Sequence, residues 1–195
     1  MKKYYIQHIQ PLIKNTLLTA KWVVFASITG AIVSLVGSAF YFLLSFVTIV
    51  REQNPWIIYL LPFAGLAVVT TYHLMKNDKD GGTNLVISAI HSGDRIPLRM
   101  TPSIFISTTL THLFGGSAGR EGAALQIGGS IGNSLGKLFK FDEKDTHVVI
   151  MCGMSAAFST LFGTPMAAAI FPMEMVSVGV MYYMALVPCV VSSLV

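Results

Sequence analysis

"GGSAGREGAALQIGG", residues 115–129, sets Arg120 and Glu121 side by side in a glycine-rich loop, just before a run of small and apolar residues. The glycines admit close backbone approach and dihedrals that a side chain forbids. The run that follows reads as a helix, so Glu121 falls in its first turn. There several backbone N–H groups lack an intrahelical partner, and the helix dipole adds partial positive charge. Such an end binds an anion: the Glu121 carboxylate itself, or a mobile anion once that carboxylate moves or takes a proton. A structural Arg120–Glu121 pair in an exterior loop is the competing reading, and the loop alone permits both. A phosphate-binding P-loop does not fit, because no "GK[ST]" follows the glycines.

Composition fixes the setting of this loop. Of 195 residues, 53% are hydrophobic and 11% charged, with a mean hydropathy of +0.66, outside the range of ordinary soluble domains. The chain therefore reads as an all-α integral membrane protein. Lys21 and Arg51 bracket 29 residues without a charge. As a helix this stretch is about 44 Å long, against a hydrocarbon core of roughly 30 Å, so it must tilt or protrude. It is too long for a signal-peptide core and lacks a small-residue cleavage site.

The net charge of +4 is scattered between apolar segments instead of gathered in a stripe, which argues against nucleic acid as a partner. Topology accounts for it better. Lys2, Lys3, Lys14 and Lys21 precede the first span, Lys76 and Lys79 follow the second, and Arg51 stands between them. The positive-inside rule then puts the N-terminus in the cytoplasm.

Along the chain, residues 1–15 read as a basic cytoplasmic leader and 16–195 as a membrane domain. A long helix from about Thr16 to Val50 leads through "REQNP" to a second span, from about Trp56 to Met75. After the loop "KNDKDGGTN" the apolar pieces shorten: "NLVISAIHS", "PLRMTPSIFISTTLTHLF", "AALQIGGSIGNSLGKLF", "THVVIMCGMSAAFSTLFG" and "PMAAAIFPMEMV". Several are too short to cross a bilayer upright. Broken helices at membrane depth survive only where their ends are buried in protein or line a cavity, so the pattern predicts a transport pathway. Gly128, Gly132 and Gly136 recur every four residues, the spacing of close helix packing in membranes. The final 18 residues, "VGVMYYMALVPCVVSSLV", carry no charge and no polar tail, and read as an interrupted sequence.

Other chemistry is sparse. Cys152 and Cys189 lie in apolar surroundings and read as small buried hydrophobes, not as a disulfide or metal site. His73, His91, His112 and His147 lack ligand spacing with thiols or carboxylates. No nucleophile–base pair or cofactor loop accompanies Glu121, so neither an enzyme nor a cofactor is expected. In "GGTNL", Thr83 and Asn84 open the first short segment. A threonine hydroxyl and free N–H groups there make a second, neutral anion-binding point, although an ordinary helix cap looks the same.

"GGSAGREGAALQIGGSIG" closely resembles the GREGP motif of the CLC family of chloride channels and proton-coupled halide exchangers, with Ala123 in place of the proline. "GGTNLV" sits where the family's GSGIP motif is expected, with Thr83 and Asn84 for Ser-Gly, and "LFGTPMAAAIFPMEM" resembles its F-x-A-P-L-A-G-x-x-F-x-x-E segment. Order and spacing agree over essentially the whole chain. The resemblance implies the first of two inverted repeats, with two long spans followed by short, broken and tilted helices.

By that resemblance Glu121 is the external gating glutamate, which competes with the anion and carries the proton in exchangers. Gly119, Arg120, Gly122 and Ala123 frame the outer anion site, and Thr83 with Asn84 serves the central one. Glu174 matches the first of two adjacent glutamates near the inner end of a family helix, and Met175 replaces the second. That second position relays protons inward in chloride-coupled exchangers, so Met175 argues against their route and leaves channel-like or fluoride-type transport open. "GGTNL" with "GGSAGREG" is more similar to the fluoride-exporting branch than to the chloride branch.

The implied activity is transport of chloride or fluoride, as a channel or proton-coupled antiporter, in a bacterial-type plasma membrane. Halide anions, protons and the lipid bilayer are the implied partners, with a homodimer mate or a chain that supplies the second repeat. The alternative is a truncated, non-transporting membrane fragment or half-subunit.

Overall fold

The computed structural model describes residues 10–77, 81–93, 96–176 and 182–195. Among them all regular structure is helical: α1 (Gln10–Gln53), a 3-10 turn (Pro55–Leu60), α2 (Leu61–Leu74), α3 (Thr83–Ser92), α4 (Met100–Leu113), α5 (Arg120–Leu138), α6 (Glu143–Phe162), α7 (Pro165–Val176), a second 3-10 turn (Tyr183–Ala185) and α8 (Leu186–Leu194). This is the expected all-α arrangement of long spans followed by short helices. Lys2, Lys3 and Lys79, three of the charges used for orientation, lie outside the described residues.

Helix α1 begins at Gln10, inside the stretch read as a leader, and runs for 44 residues, about 66 Å. Trp22, Ala26, Val33, Phe40, Leu44 and Val47 are buried at intervals of three, four and seven, one helical face. Leu35, Phe42 and Phe46 on the remaining surface are exposed. Thr16–Gln53, Pro55–Leu74 and Glu143–Phe162 are long and apolar enough to cross a membrane.

The last of these spans corrects the sequence reading, which began that segment at Thr146 and counted it among the short pieces. The Asp142 carboxylate caps the helix by accepting from the Asp145 N–H at 2.7 Å. Glu143, Lys144 and Asp145 then form a charged first turn, and α6 reaches 20 residues. Acidic side chains favour such an end because they offset its dipole. Lys21 Nζ pairs with Asp145 at 2.9 Å, which fastens α1 to this end of α6.

Helix α6 is the centre of the fold, with α5, α1, α7 and α8 around it. The recurring glycines set how closely α5 approaches. A methyl group on Gly128 would collide with the Gly153 carbonyl, and on Gly132 or Gly136 it would stand 2.6 Å from Val149 O or 2.8 Å from Thr146 Cγ2. The four-residue spacing is thus helix packing, as read. On another face of α6, Ser192 Oγ donates to the Cys152 carbonyl at 2.9 Å and ties down α8. Cys152 and Cys189 are both buried, free thiols.

A second face of α5 holds the loop that leads into α4. Ser130 Oγ donates to Pro97 O at 2.9 Å and Asn133 Nδ2 to Ile96 O at 2.8 Å. The start of α4 therefore lies beside the second half of α5. The turn from α4 to α5 carries the glycine-rich loop, with Gly115 at φ +78° where a side chain would be strained.

Candidate functional site

Helix α3 lies against the first turns of α5. Gly122 faces Thr83, where an added Cβ would stand 3.2 Å from Thr83 Oγ1, and Gly129 faces Val86. Two helix N-termini therefore open side by side. Both N-caps are glycines, Gly82 at φ +61° and Gly119 at φ −74°, and neither end is closed by a side-chain cap. At α6, by contrast, Asp142 occupies that role. In α3 the Leu85 N–H already bonds to Gly82 O at 3.1 Å, so among the described residues the N–H groups of Thr83 and Asn84, with those of Arg120, Glu121 and Gly122 on α5, are the ones left for an acceptor from elsewhere, and the two dipoles add positive character to the same region.

The residues singled out in the sequence divide around this junction. Thr83 is half-buried and its hydroxyl meets α5, whereas the Asn84 side chain is exposed. Arg120, Glu121 and Gly122 supply the first-turn N–H groups of α5. Ala123 is buried and is the first residue whose N–H falls inside the helical ladder. Gly119 and Glu121 are exposed and Arg120 is half-buried. Among the described residues Arg120 and Glu121 form no ion pair, the one within 4 Å being Lys21–Asp145. The structural pair weighed from sequence is therefore not what this loop builds.

Glu174 is not brought to this point. Helix α7 meets α3 through the His91 ring, whose Nε2–H donates to the Val176 carbonyl at the far end of α3. Ten helical residues, about 15 Å, separate that end from Thr83. Glu174 is exposed on α7.

One residue absent from the sequence reading completes the cluster. Gln126, one turn beyond Gly122, is 8% exposed, and its Nε2 lies 3.4 Å from Thr83 Oγ1. Its Oε1 is buried with no partner among the described residues. A cavity of about 480 Å³ opens here between α2, α4 and the starts of α3 and α5, lined in part by Tyr72, Asn77, Gly82 and Gln126. The signal in the sequence was a polar stripe: Gln126, Ser130 and Asn133 fall at i, i+4 and i+7, on one face of a helix otherwise made of small and apolar residues.

The profile of the voltage gated chloride channel family matches residues 64–195. The chain belongs to that family. A chloride/fluoride channel protein of Pseudomonas syringae pv. tomato is 44% identical over 177 residues, 90% of this chain and 39% of that protein. The H(+)/Cl(-) exchange transporter ClcA of Cronobacter sakazakii is 28% identical over 164 residues, 76% of this chain and 35% of that protein.

Among solved structures, a CLC-type fluoride/proton antiporter superimposes with a TM-score of 0.82 at 35% identity, over 89% of this chain and 44% of the other. A slow cyanobacterial Cl−/H+ antiporter gives 0.69 at 24% identity over 89% and 45%, a likeness of fold. This member of the chloride channel family is an integral membrane protein, and it spans less than half the length of each of these relatives. Each of them is named a channel, an exchange transporter or an antiporter.

Proposed function

We propose that this chain forms one repeat of a halide transport pathway, with the anion held between the uncapped N-termini of α3 and α5 and gated by Glu121. The observation that carries this reading is the meeting of two glycine-capped helix ends at Thr83 Oγ1 and Gly122. Thr83, Arg120 and Gly122 then present an O–H and backbone N–H groups to the anion, Gly119 and Ala123 shape the loop, and Asn84 flanks the entrance. Glu121, exposed beside the same helix end, competes with the anion while ionised and yields when protonated.

Fluoride is the favoured cargo, supported by the names of the 44%-identical relative and of the structure at TM-score 0.82. With Met175 beside Glu174, the inward proton route of chloride-coupled exchangers is not used. Residues 16–195 form the membrane domain and 1–15 lead into it. The N-terminus is cytoplasmic in a bacterial plasma membrane, and a complementary repeat completes the pathway.

The test is efflux from liposomes that contain the chain, followed with fluoride and chloride electrodes beside Glu121→Gln. The measurement is made on the chain alone and together with the remaining length of the Pseudomonas relative. Efflux whose pH dependence disappears in Glu121→Gln supports the reading. Inserted, folded protein that moves neither halide in either arrangement would sink it, and would make the chain a non-transporting fragment.

A further inference from the structure

We infer that Gln126 is a positioning residue that polarises the Thr83 hydroxyl toward the anion and so favours fluoride over chloride; this rests on the anion pathway proposed above. Three observations meet at one point: the Thr83 hydroxyl at a helix end without a side-chain cap, Gln126 Nε2 at 3.4 Å from its oxygen, and a Gln126 residue that is 8% exposed with its Oε1 buried and unpartnered among the described residues.

A hydroxyl has one proton and two lone pairs. When Gln126 Nε2–H donates to Thr83 Oγ1, the threonine proton is free to donate elsewhere, and the first-turn N–H groups of Thr83 and Asn84 lie beside it. Were the amide turned over, Oε1 would instead draw that proton inward and leave an oxygen lone pair facing any anion. The orientation of one side-chain amide thus decides whether Thr83 attracts or repels a halide.

The contact length fits a relay at rest. At 3.4 Å it is longer than the usual N–H···O bond. An anion that accepts the Thr83 proton would raise the negative charge on Oγ1 and draw the amide closer, because hydrogen bonds in a chain strengthen one another. Fluoride, the smallest halide and the strongest hydrogen-bond acceptor, gains most from such a sharpened donor. The Oε1 atom, without a partner among the described residues, has no competing bond to hold the amide against this movement.

The experiment compares Thr83→Val, Thr83→Ser, Gln126→Leu and the Thr83→Val/Gln126→Leu double variant in proteoliposomes loaded with fluoride or chloride. In parallel, the Gln126 side-chain amide of the unaltered chain, of Thr83→Ser and of Thr83→Val is followed by NMR on 15N-glutamine-labelled protein as sodium fluoride is added. Gln126→Leu should lower fluoride efflux about tenfold and chloride efflux less, and should add nothing once Thr83→Val is present. The amide protons should shift with fluoride in the unaltered chain and in Thr83→Ser, but not in Thr83→Val.

Additive losses in the double variant would overturn the inference. So would an amide that fluoride leaves in place while the protein transports fluoride, with the pathway itself left standing. An unshifted amide in a chain that moves no halide would overturn both.

Discussion

Helices α2 and α5 invert the usual relation between apolarity and burial. The α2 sequence, "LPFAGLAVVTTYHL", is almost wholly apolar, yet Ala64 is its one buried residue among the described residues. The α5 sequence, "REGAALQIGGSIGNSLGKL", is rich in glycine and carries Gln126, Ser130 and Asn133, yet 13 of its 19 residues are buried. In water this would be a contradiction. In a bilayer lipid tails are as apolar as leucine, so apolarity does not sort a helix inward; close backbone approach and hydrogen bonds do. The three glycines bring α5 onto α6, and the polar stripe reaches α3 and the loop before α4.

Four substitutions test this contrast. Gly128→Leu should be the most damaging, because its side chain meets the Gly153 carbonyl on the central helix and the two backbones must part. A loss of about 3 kcal/mol is expected, read from reversible unfolding in mixed micelles, and a stability within error of the parent would refute glycine packing as the basis of the α5–α6 contact.

Asn133→Leu comes next. It removes the donor to Ile96 O in a buried setting and should cost about 2 kcal/mol, with faster amide exchange in the loop before α4 as the local sign. Gly65→Ala in α2 should act in the opposite direction, since a methyl there meets nothing within 4 Å. A gain of roughly 0.5–1 kcal/mol is expected; a loss would mean that α2 also relies on close approach. Smallest is Lys21→Ala. The Lys21–Asp145 pair is partly solvated, with side chains 38% and 28% exposed, so about 0.5 kcal/mol is at stake, and double-mutant coupling to Asp145→Asn should be no larger.

The candidate site was legible to different depths. Glu121 and the glycine loop stood out because a charge flanked by glycine is conspicuous in an apolar chain. Thr83 was visible as an ordinary helix opening. That the two openings meet was not visible, since 37 residues of chain separate Thr83 from Glu121 and neither motif names its neighbour. Gln126 escaped notice because its importance lies in a contact across helices. The misread length of α6 came from treating "EKD" as loop when Asp142 makes it a capped first turn, and the early start of α1 from treating residues 10–15 as leader.

By itself the sequence determined the helical membrane class, the two long N-terminal spans, the broken segments after them and the glycine face of α5. All of these follow from local composition and spacing along one helix. Packing between helices alone settled which face of α1 turns inward, that α6 is the central span, that the end of α7 meets the far end of α3, and that Gln126 reaches Thr83. The physical reason is the same throughout: in a membrane both faces of a helix are apolar, so hydropathy does not distinguish them. Burial is settled by which backbones can touch and which polar atoms find one another.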